Sequence, residues 1–382
     1  MTTDRLGSWW PRLRAAVIAM LVIVTTSACA ASRSAPAGPG TPIAGFPPLL
    51  TWMGEFTRPS GAPNPRIAGS QRFGSLSGLV LDATSGQWLS VIDDREGSRV
   101  AWLSVTLTGG RFEVSPTRVQ ALSAGPGVVD RIATQADLEA ITALPDGTFL
   151  MGEEGHLTRD GVWQPAILQV TRDGVVTGVI GYPKEFQISV DGRTGVRDNQ
   201  GFESLTRTPG GRLIAGLEQP LAEHAVTTSA RGGEGRLIEF EPSGATWKPG
   251  RQWRYTISPT PKVDGFPDIC SDGENGLVEL LAISETTLIA LERACLMNAA
   301  GTVPANAIQL FSVTLSGNTA RKTLLLDLST LAPKLSPALA HLENFEGLAF
   351  GPTAGGLRTL LVMSDDNFRP TQKTSFLLFG MR

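Results

Sequence analysis

The sequence predicts an all-β protein, a β-propeller with five or six blades of antiparallel strands, from three observations. The first is composition, because 43 glycines and 26 prolines in 382 residues indicate many turns and few long helices. The second is an apolar hairpin that recurs along the chain, and the third is the lack of helical periodicity between its copies. Repeated antiparallel units are typical of propeller blades, and a closed ring leaves no long open sheet edge.

The clearest copy of the hairpin turns at a Pro-Asp-Gly sequence, residues 145–147, where proline sets φ and glycine accepts a positive φ. Acidic residues recur near the start of the first strand and at the end of the second strand. They are Glu139 and Glu153 in this copy, then Glu203 and Glu218, Glu279 and Glu292, and Glu346 with Asp365 and Asp366. A weaker first copy ends at Asp93 and Asp94. A β-sandwich is the alternative fold, but it does not explain a repeated hairpin.

The remaining strands of each blade are predicted outside the hairpins. Third strands are expected at residues 100–107, 167–171, 236–240, 308–313 and 375–379. The segment 49–57 is expected to close the ring by joining the last blade. A sixth blade would have to come from residues 174–199 or 242–268.

The acidic residues of each hairpin are expected to lie opposite each other at one end of the two strands. Like charges in opposite positions destabilise a sheet, so several such pairs require compensation. Because the inner strands of a propeller line its channel, the carboxylates are expected to converge on one channel mouth. Ca²⁺, arginine partners or shared protons would compensate them. The structural alternative is that each acid binds backbone N–H groups of the next blade.

This pattern supplies the candidate site residues. The candidate catalytic acids are Glu203, Glu218, Glu346 and Asp365, and the candidate metal ligands are Asp93, Asp94, Glu139, Glu153, Glu279, Glu292 and Asp366. Arg95 and Arg293 each follow an acid, and they either bind a substrate phosphate or carboxylate or form salt bridges with the acids. His156 is a candidate general base or an ordinary loop histidine. Neutral oxygen ligands, or turn and cap residues, are Asn199, Asn275, Asn344 and Asn367.

Charge and motif content argue against several classes of function. With 33 Lys and Arg residues against 36 Asp and Glu residues, the net charge is −3 and no basic surface for nucleic acid is indicated. The sequence has no G-x-S-x-G elbow, H-E-x-x-H motif, phosphate-binding loop or dinucleotide fingerprint. We expect a monomer that takes a small-molecule ester.

Residues 1–28 are predicted to be a signal peptide, because three arginines precede an apolar run at 15–24 that is too short to span a bilayer. Two cleavage sites compete. The sequence Thr-Ser-Ala-Cys at 26–29 resembles a lipobox with Cys29 as the lipidated residue, and Ala-Cys-Ala at 28–30 fits ordinary cleavage. Residues 29–48 are rich in Ala, Ser, Gly and Pro and are predicted to be a flexible tether before a propeller domain at 49–382. We therefore expect an exported protein, either a cell-surface lipoprotein held by its lipid anchor or a secreted protein.

Two cysteines follow the predicted tether, Cys270 and Cys295, and they flank the third clear hairpin. An exported location permits a disulfide between them. The alternative is a pair of free thiols.

Several motifs together carry a family resemblance. They are Phe-Glu-Ser-Leu at 202–205 after Asn-Gln-Gly, Gly-Leu-Glu-Gln at 216–219, Asn-Phe-Glu-Gly-Leu at 344–348 and Ser-Asp-Asp-Asn at 364–367. From residue 73 to the C-terminus, the chain resembles the bacterial phytase-like family described as "esterase-like activity of phytase". The resemblance implies a propeller-type fold, export and phosphomonoesterase or esterase activity.

The resemblance also suggests a cofactor, because calcium-dependent propeller phytases hold Ca²⁺ around phosphate at an acidic mouth. The predicted mouth here lacks the Lys- and Arg-rich lining that would bind a polyphosphate tightly. The resulting hypothesis is a metal-dependent hydrolase acting on a phosphate or carboxylic ester outside the cell. The alternatives are a non-catalytic cell-surface propeller that binds a ligand or protein, and a lactonase-like propeller.

Overall fold

The computed structural model describes residues 48–59, 72–244, 246–271, 273–302 and 304–382. Regular structure in these ranges is almost entirely β, with one short α-helix and three short 3-10 helices. The predicted signal peptide, the lipidation of Cys29 and nearly all of the tether fall on residues 1–47, outside the described residues.

The strands follow one another as antiparallel sheets. Strand β1 (Leu50–Pro59) belongs to the last sheet, and the first sheet contains β2 (Leu76–Asp82), β3 (Gln87–Ile92), β4 (Arg99–Thr108) and β5 (Arg111–Ala121). The second sheet contains β6 (Ser123–Ala124), β7 (Leu138–Ala143), β8 (Phe149–Glu153), β11 (Ala166–Val170) and β12 (Val175–Val179). Helix α1 (Asp130–Thr134) precedes β7, and a small hairpin of β9 (His156–Thr158) and β10 (Gly161–Trp163) follows β8.

A large sheet and the closing sheet complete the domain. The large sheet contains β13 (Phe202–Arg207), β14 (Leu213–Leu217), β15 (Gly233–Ser243), β16 (Thr246–Ile257), β17 (Asp268–Ile269), β18 (Gly276–Ala282), β19 (Thr287–Met297), β20 (Pro304–Ser316) and β21 (Thr319–Asp327). The closing sheet contains β22 (Asn344–Phe350), β23 (Thr359–Asp365), β24 (Lys373–Met381) and β1. The 3-10 helices are Lys184–Phe186, Leu328–Lys334 and Pro337–Leu339.

These sheets form five blades over the described residues. The large sheet is two blades, because β16 and β21 pair in parallel through Arg254↔Thr319 and Tyr255↔Ala320 and so join the four strands β13–β16 to the five strands β17–β21. The inner strands β2, β7, β13, β18 and β22 contact one another in this order, and β22 contacts β2. The predicted β-propeller is therefore confirmed, with a closed ring of inner strands. The segments considered for a sixth blade instead supply the outer strands β12 and β16.

The ring is closed by strands from both ends of the domain. Strand β1 pairs antiparallel with β24 from Leu50↔Met381 to Pro59↔Lys373, as the sequence predicts for residues 49–57. The predicted third strands are also confirmed, since they correspond to β4, β11, β15, β20 and β24. Closure of this kind removes two free edges from the first and last elements of the domain.

The core lies between neighbouring blades. Successive side chains of a strand point to opposite faces. On β8, Met151 packs with Trp102 of the first blade, while Leu150 packs with Phe202 of the third blade. Burial of each large apolar side chain contributes about 1.5–3 kcal/mol. By the same alternation, Glu153 and Glu154 at the end of β8 point to opposite faces.

Each inner strand contains a β-bulge near the same end of the channel. The register shifts lie between residues 77 and 79, 138 and 140, 202 and 204, 277 and 279, and 345 and 347. A bulge adds one residue to a strand and re-aims its side chain. The prediction that the acids of each hairpin lie directly opposite was therefore wrong, since Glu153 pairs with Leu138 and Glu292 pairs with Leu277.

A glycine allows the first bulge to approach the neighbouring blade. Gly78 has φ 55°, and a Cβ there would lie 2.6 Å from the carbonyl oxygen of Glu139. A left-handed conformation and a backbone contact of this kind both require glycine. The bulges thus bring adjacent inner strands close together at the end of the channel that carries the acids.

Candidate metal centre at the channel mouth

The extra residues of the five bulges form the first layer of the site. They are Gly78, Glu139, Glu203, Val278 and Glu346. The three glutamates are buried, and each comes from a different blade. The fourth blade has Val278 at this position. The sequence pattern predicted that Glu279 is equivalent to the other three glutamates, and this was wrong.

The second layer comes from the ends of the second strands. Gly152 pairs with Ala140, and Gly216 pairs with Ser204, each just past its bulge. The residues two positions after these glycines are therefore equivalent. Counted in this way, the second layer consists of Ile92, Glu154, Glu218, Arg293 and Asp365.

Sequence reasoning missed Glu154 because it aligned Glu153 with Glu218. The signal that finds it is the pair of glycines, since a Cβ on Gly152 would lie 2.6 Å from the Phe202 carbonyl oxygen of the next blade. Asp137 was also missed, and it directly precedes the apolar start of β7. Both acids are almost completely buried.

Nine carboxyl groups lie together at this end of the channel, and we call them the acidic mouth. The acidic mouth consists of Asp93, Asp137, Glu139, Glu153, Glu154, Glu203, Glu218, Glu346 and Asp365. Two groups of three within it place one carboxylate oxygen of each member within 4.8 Å of the others. These groups are Asp93, Asp137 and Glu139, and Glu154, Glu203 and Glu218.

The first group is bordered by donor groups. Arg95 donates from Nε and Nη2 to Asp137 Oδ2 at 2.9 and 2.7 Å, and it also bonds Asn199. His156 Nε2 lies 3.2 Å from the same Asp137 oxygen. Asp137 Oδ1 is buried and has no N–H or hydroxyl donor among the described residues. A bound water, a proton shared with a neighbouring carboxyl group, or a cation would satisfy that oxygen.

Protonation in the first group is uneven. Burial, followed by the charge of Asp137 and a hydrogen bond to it, raises the pKa of Asp93 to about 10. Burial would also raise the pKa of Asp137, but contacts with His156, Asp93 and Arg95 outweigh burial and hold it below its usual range. Without a cation, Asp93 therefore keeps a proton that it shares with ionised Asp137.

The second group also contains a buried carboxylate oxygen without a donor, and its carboxyl groups hold protons. Glu154 Oε1 is buried and has no N–H or hydroxyl donor in the part of the chain that the structure describes. Burial, and then the charges of neighbouring acids, raise the pKa values of Glu139, Glu154 and Glu203 well above the ordinary value. A proton shared between Glu154 and Glu203 relieves part of the repulsion. A divalent cation would displace such protons and ionise the carboxyl groups.

Two further members of the acidic mouth also hold protons. Burial, followed by the charge of Asp137, raises the pKa of Glu153 to about 8. Burial, followed by the charge of Glu346, raises the pKa of Asp365 well above its usual range.

Arg293 acts as an internal cation between the fourth and fifth blades. Its Nη2 lies 2.8 Å from Glu346 Oε1 and 3.8 Å from Glu218 Oε1. Glu346 also accepts from Asn344 Nδ2 at 2.7 Å and from Ser77 Oγ at 2.8 Å. The Arg293 side chain is only 13% exposed. Its guanidinium group therefore neutralises the acids from within, which corresponds to the salt-bridge alternative for this residue.

Glu292 lies in a different network, on the other side of β19 from Arg293. It accepts hydrogen bonds from the Tyr255 hydroxyl at 2.7 Å, the Ser258 N–H at 3.1 Å and Asn275 Nδ2 at 2.9 Å. Lys322 forms an ion pair with it. With four partners its oxygens are saturated, and the network ties the third blade to the fourth.

Asp366 and Asp94 are likewise bound to protein groups. Asp366 accepts from the Ser75 N–H at 2.9 Å, the Phe368 N–H at 3.0 Å and Thr374 Oγ1 at 2.7 Å. Asp366 therefore joins the last blade to the first by binding a backbone N–H group of the next blade, which is the structural role considered for the acids in the sequence analysis. Asp94 accepts from the Glu96 N–H at 3.0 Å and is paired with Arg99.

Glu279 lies at the centre of the ring of inner strands. Its Oε1 accepts from the Leu280 N–H at 2.9 Å, and N–H groups of Leu205, Leu79 and Leu348 on three other inner strands also face the carboxyl group. Burial raises the pKa of Glu279 well above its usual range despite these donors. The side chain fills the channel axis and is not in either group of three.

The predicted disulfide is present. Cys270 and Cys295 are bonded, with their Cα atoms 5.4 Å apart. The bond fixes the loop before β18 to β19, close to the end of the fourth blade that carries Arg293. In the described residues, none of the helices combines the length and apolar character needed to cross a lipid bilayer.

The chain matches one known protein family over most of its length. The family described as "Phytase-like: Esterase-like activity of phytase" matches residues 71–368. No curated protein matches the chain. Similar solved structures include an endo-arabinase from Bacteroides thetaiotaomicron, with 13% identity and a TM-score of 0.44, covering 85% of this chain and 96% of that chain.

Two further solved structures are similar at this level. The luciferin-regenerating enzyme has 12% identity and a TM-score of 0.37, covering 87% of this chain and 95% of that chain. The Dos1 propeller has 8% identity and a TM-score of 0.34, covering 80% of this chain and 68% of that chain. Identities this low carry no information on activity.

Proposed function

Since the chain belongs to the phytase-like family, whose description names an esterase-like and therefore hydrolase-type activity, we propose that it is a metal-dependent ester hydrolase. The reaction takes place at the acidic mouth, and the ester is a phosphate or carboxylic ester. The observation that carries the proposal is the pair of three-carboxylate groups, in which all members except the half-buried Asp93 are buried and each group has an oxygen that no N–H or hydroxyl donor in the described residues satisfies.

The donor set of the acidic mouth fits Ca²⁺. Each group of three carboxylates offers only hard oxygen ligands, up to six if all three bind through both oxygens, and Ca²⁺ takes six to eight such ligands. Leaving a buried charged acceptor without a partner costs about 1–3 kcal/mol or more. A cation bound at either group would satisfy the Asp137 or Glu154 oxygen that lacks an N–H or hydroxyl donor.

The residues would hold the ions as two separate sets. Asp93, Asp137 and Glu139 would bind one ion, and the second group, Glu154, Glu203 and Glu218, would bind another. Bound Ca²⁺ supplies charge neutralisation and polarisation of the ester oxygen.

The protein's own groups orient the reaction. Arg95 borders the first group and is placed to hold an anionic oxygen of the substrate. Arg293 keeps Glu346 and Glu218 in position from the opposite side. In the hydrolysis, the water oxygen bonds to phosphorus or to the acyl carbon, and the bond to the ester oxygen breaks. The leaving alcohol takes one proton of the water, and an acidic-mouth carboxylate accepts the other.

Replacement of three acids tests the proposal. The variant with Glu203→Gln, Glu218→Gln and Glu346→Gln should lose the Ca²⁺ of the second group together with hydrolysis of p-nitrophenyl esters, because it removes two carboxylates of that group and the Arg293 partner Glu346 while keeping side-chain volume. Metal content is measured by atomic emission and turnover by nitrophenolate release. Glu241→Gln is the matched control, since Glu241 is an exposed acid on an outer strand. Retention of both metal and activity in the triple variant would refute the proposal.

A non-catalytic surface propeller is the second candidate, because Asp366 and Glu292 show that part of the acids tie blades together. Under this alternative the protein binds Ca²⁺ but hydrolyses no phosphate ester, carboxylic ester or lactone. A lactonase-like activity is distinguished by the same panel of substrates. Export through the predicted signal peptide at 1–28 remains part of the proposal.

A further inference from the structure

We infer, on the premise of the proposed function, that the acidic mouth takes esters carrying one anionic group or none and rejects polyphosphates, with Arg95 as the residue that recognises the anionic group. Three features of the described residues lead to this inference. They are the number of reachable cations, the hydrogen bonds already made by Arg95, and the balance of charge.

Arg95 is the exposed cation that hydrogen bonds directly to one of the two three-carboxylate groups. Arg131 lies on the Glu153 side of the acidic mouth, outside both groups, and stacks on the Trp163 ring. The Arg95 side chain is 50% exposed, whereas those of Arg293 and Arg99 are each 13% exposed and paired with Glu346 and Asp94. Recognition of a polyphosphate needs several guanidinium or ammonium groups directed at it, since each phosphate oxygen pair is matched by one bidentate arginine. Among the described residues, Arg95 is the exposed cation with a hydrogen bond to either three-carboxylate group, while Arg131 faces Glu153.

The hydrogen bonds of Arg95 limit it further. Its Nε and Nη2 are bound to Asp137 and Asn199. Asn199, whose backbone is left-handed with φ 58°, accepts one of these hydrogen bonds through Oδ1. Nη1 is the remaining donor, and it makes no hydrogen bond to the residues that the structure describes. With the two N–H groups of Nη1, this arginine can therefore bind one anionic group of a substrate.

The charge of the site disfavours a polyanion. Two divalent cations with Arg95 and Arg293 would supply six positive charges against the nine carboxyl groups of the acidic mouth. The six ligand carboxylates and Glu346 alone outnumber these positive charges by one, so the loaded site remains negative. An inositol hexakisphosphate would meet repulsion, whereas a neutral ester or an ester with one phosphoryl or carboxylate group would meet one complementary donor.

Substrate preference at two salt concentrations tests the inference. The Ca²⁺-loaded protein is assayed with p-nitrophenyl acetate, p-nitrophenyl phosphate and inositol hexakisphosphate in excess Ca²⁺. We expect kcat/KM for inositol hexakisphosphate to be at least about tenfold below that of the best single-group ester, which corresponds to loss of one charge-assisted contact. Its rate should rise with salt because screening weakens repulsion, while the rate for the acetate ester should not.

Arg95→Gln separates recognition of charge from the reaction itself. It should lower kcat/KM for p-nitrophenyl phosphate about tenfold more than kcat/KM for p-nitrophenyl acetate, since only the phosphate uses the guanidinium charge. Arg95→Lys keeps the positive charge and should therefore retain part of the kcat/KM for p-nitrophenyl phosphate that Arg95→Gln loses. The matched control is Arg193→Gln, because the Arg193 side chain is 85% exposed and its ion pair with Asp191 lies on the surface.

The outcomes distinguish this inference from the proposed function. If inositol hexakisphosphate is the best substrate, or Arg95→Gln affects both nitrophenyl esters equally, the function stands and the inference is wrong. If no ester is hydrolysed, the proposed function fails. Calorimetry then still tests the inference, by comparing the affinities of the Ca²⁺-loaded protein for inorganic phosphate and for inositol hexakisphosphate. Tighter binding of the hexakisphosphate would overturn the inference, and tighter binding of phosphate would support it.

Discussion

Replacing Glu292 by alanine tests whether this acid is a structural hub or a metal ligand. Glu292 is 0% exposed and accepts from Tyr255, Ser258 and Asn275, and its ion pair is with Lys322. The variant leaves an ammonium group and two buried donors without their acceptor. Because the oxygens of Glu292 are saturated by protein groups, the change should lower stability and leave Ca²⁺ stoichiometry unaltered.

The magnitude follows from these contacts. Breaking a buried ion pair by removing one partner costs about 3–5 kcal/mol. The Tyr255 hydroxyl and the Asn275 amide are buried, and each donor left unpaired adds about 1–3 kcal/mol unless it finds water or another acceptor. Lys322 is on an outer strand and can move toward solvent, which returns part of the loss. We therefore expect a loss of about 4 kcal/mol in the free energy of unfolding.

The assay is urea unfolding of the metal-free proteins followed by tryptophan fluorescence. Glu241→Ala, at an exposed position on β15, is the control and should stay within about 0.5 kcal/mol of the parent. Replacing the pair together, with Glu292→Leu and Lys322→Met, should recover most of the loss, because an apolar pair leaves no buried charge. A loss below about 1 kcal/mol for Glu292→Ala, or loss of one bound Ca²⁺, would refute the structural role.

Two further predictions concern pH and backbone geometry. Because the folded-state pKa values of Glu153 and Asp93 are raised to about 8 and about 10, their stabilising contribution is complete below the unfolded pKa and is lost as pH rises through the folded pKa. The Tm of the metal-free protein should therefore fall from about pH 5 to pH 8, and a rising or flat Tm would contradict the assigned shifts. Gly78→Ala should destabilise by about 2 kcal/mol or more, because it adds a clash with Glu139 to the strain of a positive φ. Gly86→Ala, at φ 69° with open space around it, should cost only about 1 kcal/mol, and equal losses in urea unfolding would remove the clash argument.

The fold was predictable because its signals are local. Turn residues such as Gly147 set the hairpins, and the repeat of apolar pairs specifies blades without reference to distant contacts. Closure by residues 49–57 followed from the need to cover a sheet edge. The parallel pairing of β16 with β21 was not predicted, since nothing in either strand marks its partner.

The site was only partly predictable because bulges change strand register. Equal spacing from the turn placed Glu153 beside Glu139, whereas the extra residue at the bulge places Glu154 on the side of Glu203 and Glu218. The same shift places Val278, rather than Glu279, in the first layer. The positions at which acids recur were visible in the sequence, but the face of the strand that each acid occupies depends on backbone geometry.

Metal content and chelator sensitivity of the purified domain test the central claim most directly. We predict two divalent ions per chain, one for each three-carboxylate group, and a clear fall in Tm when they are removed. Ions at 100 times their dissociation constant would contribute about 2.7 kcal/mol per site. A protein that contains no metal, and whose Tm and ester hydrolysis do not change with Ca²⁺ or chelator, would contradict the account.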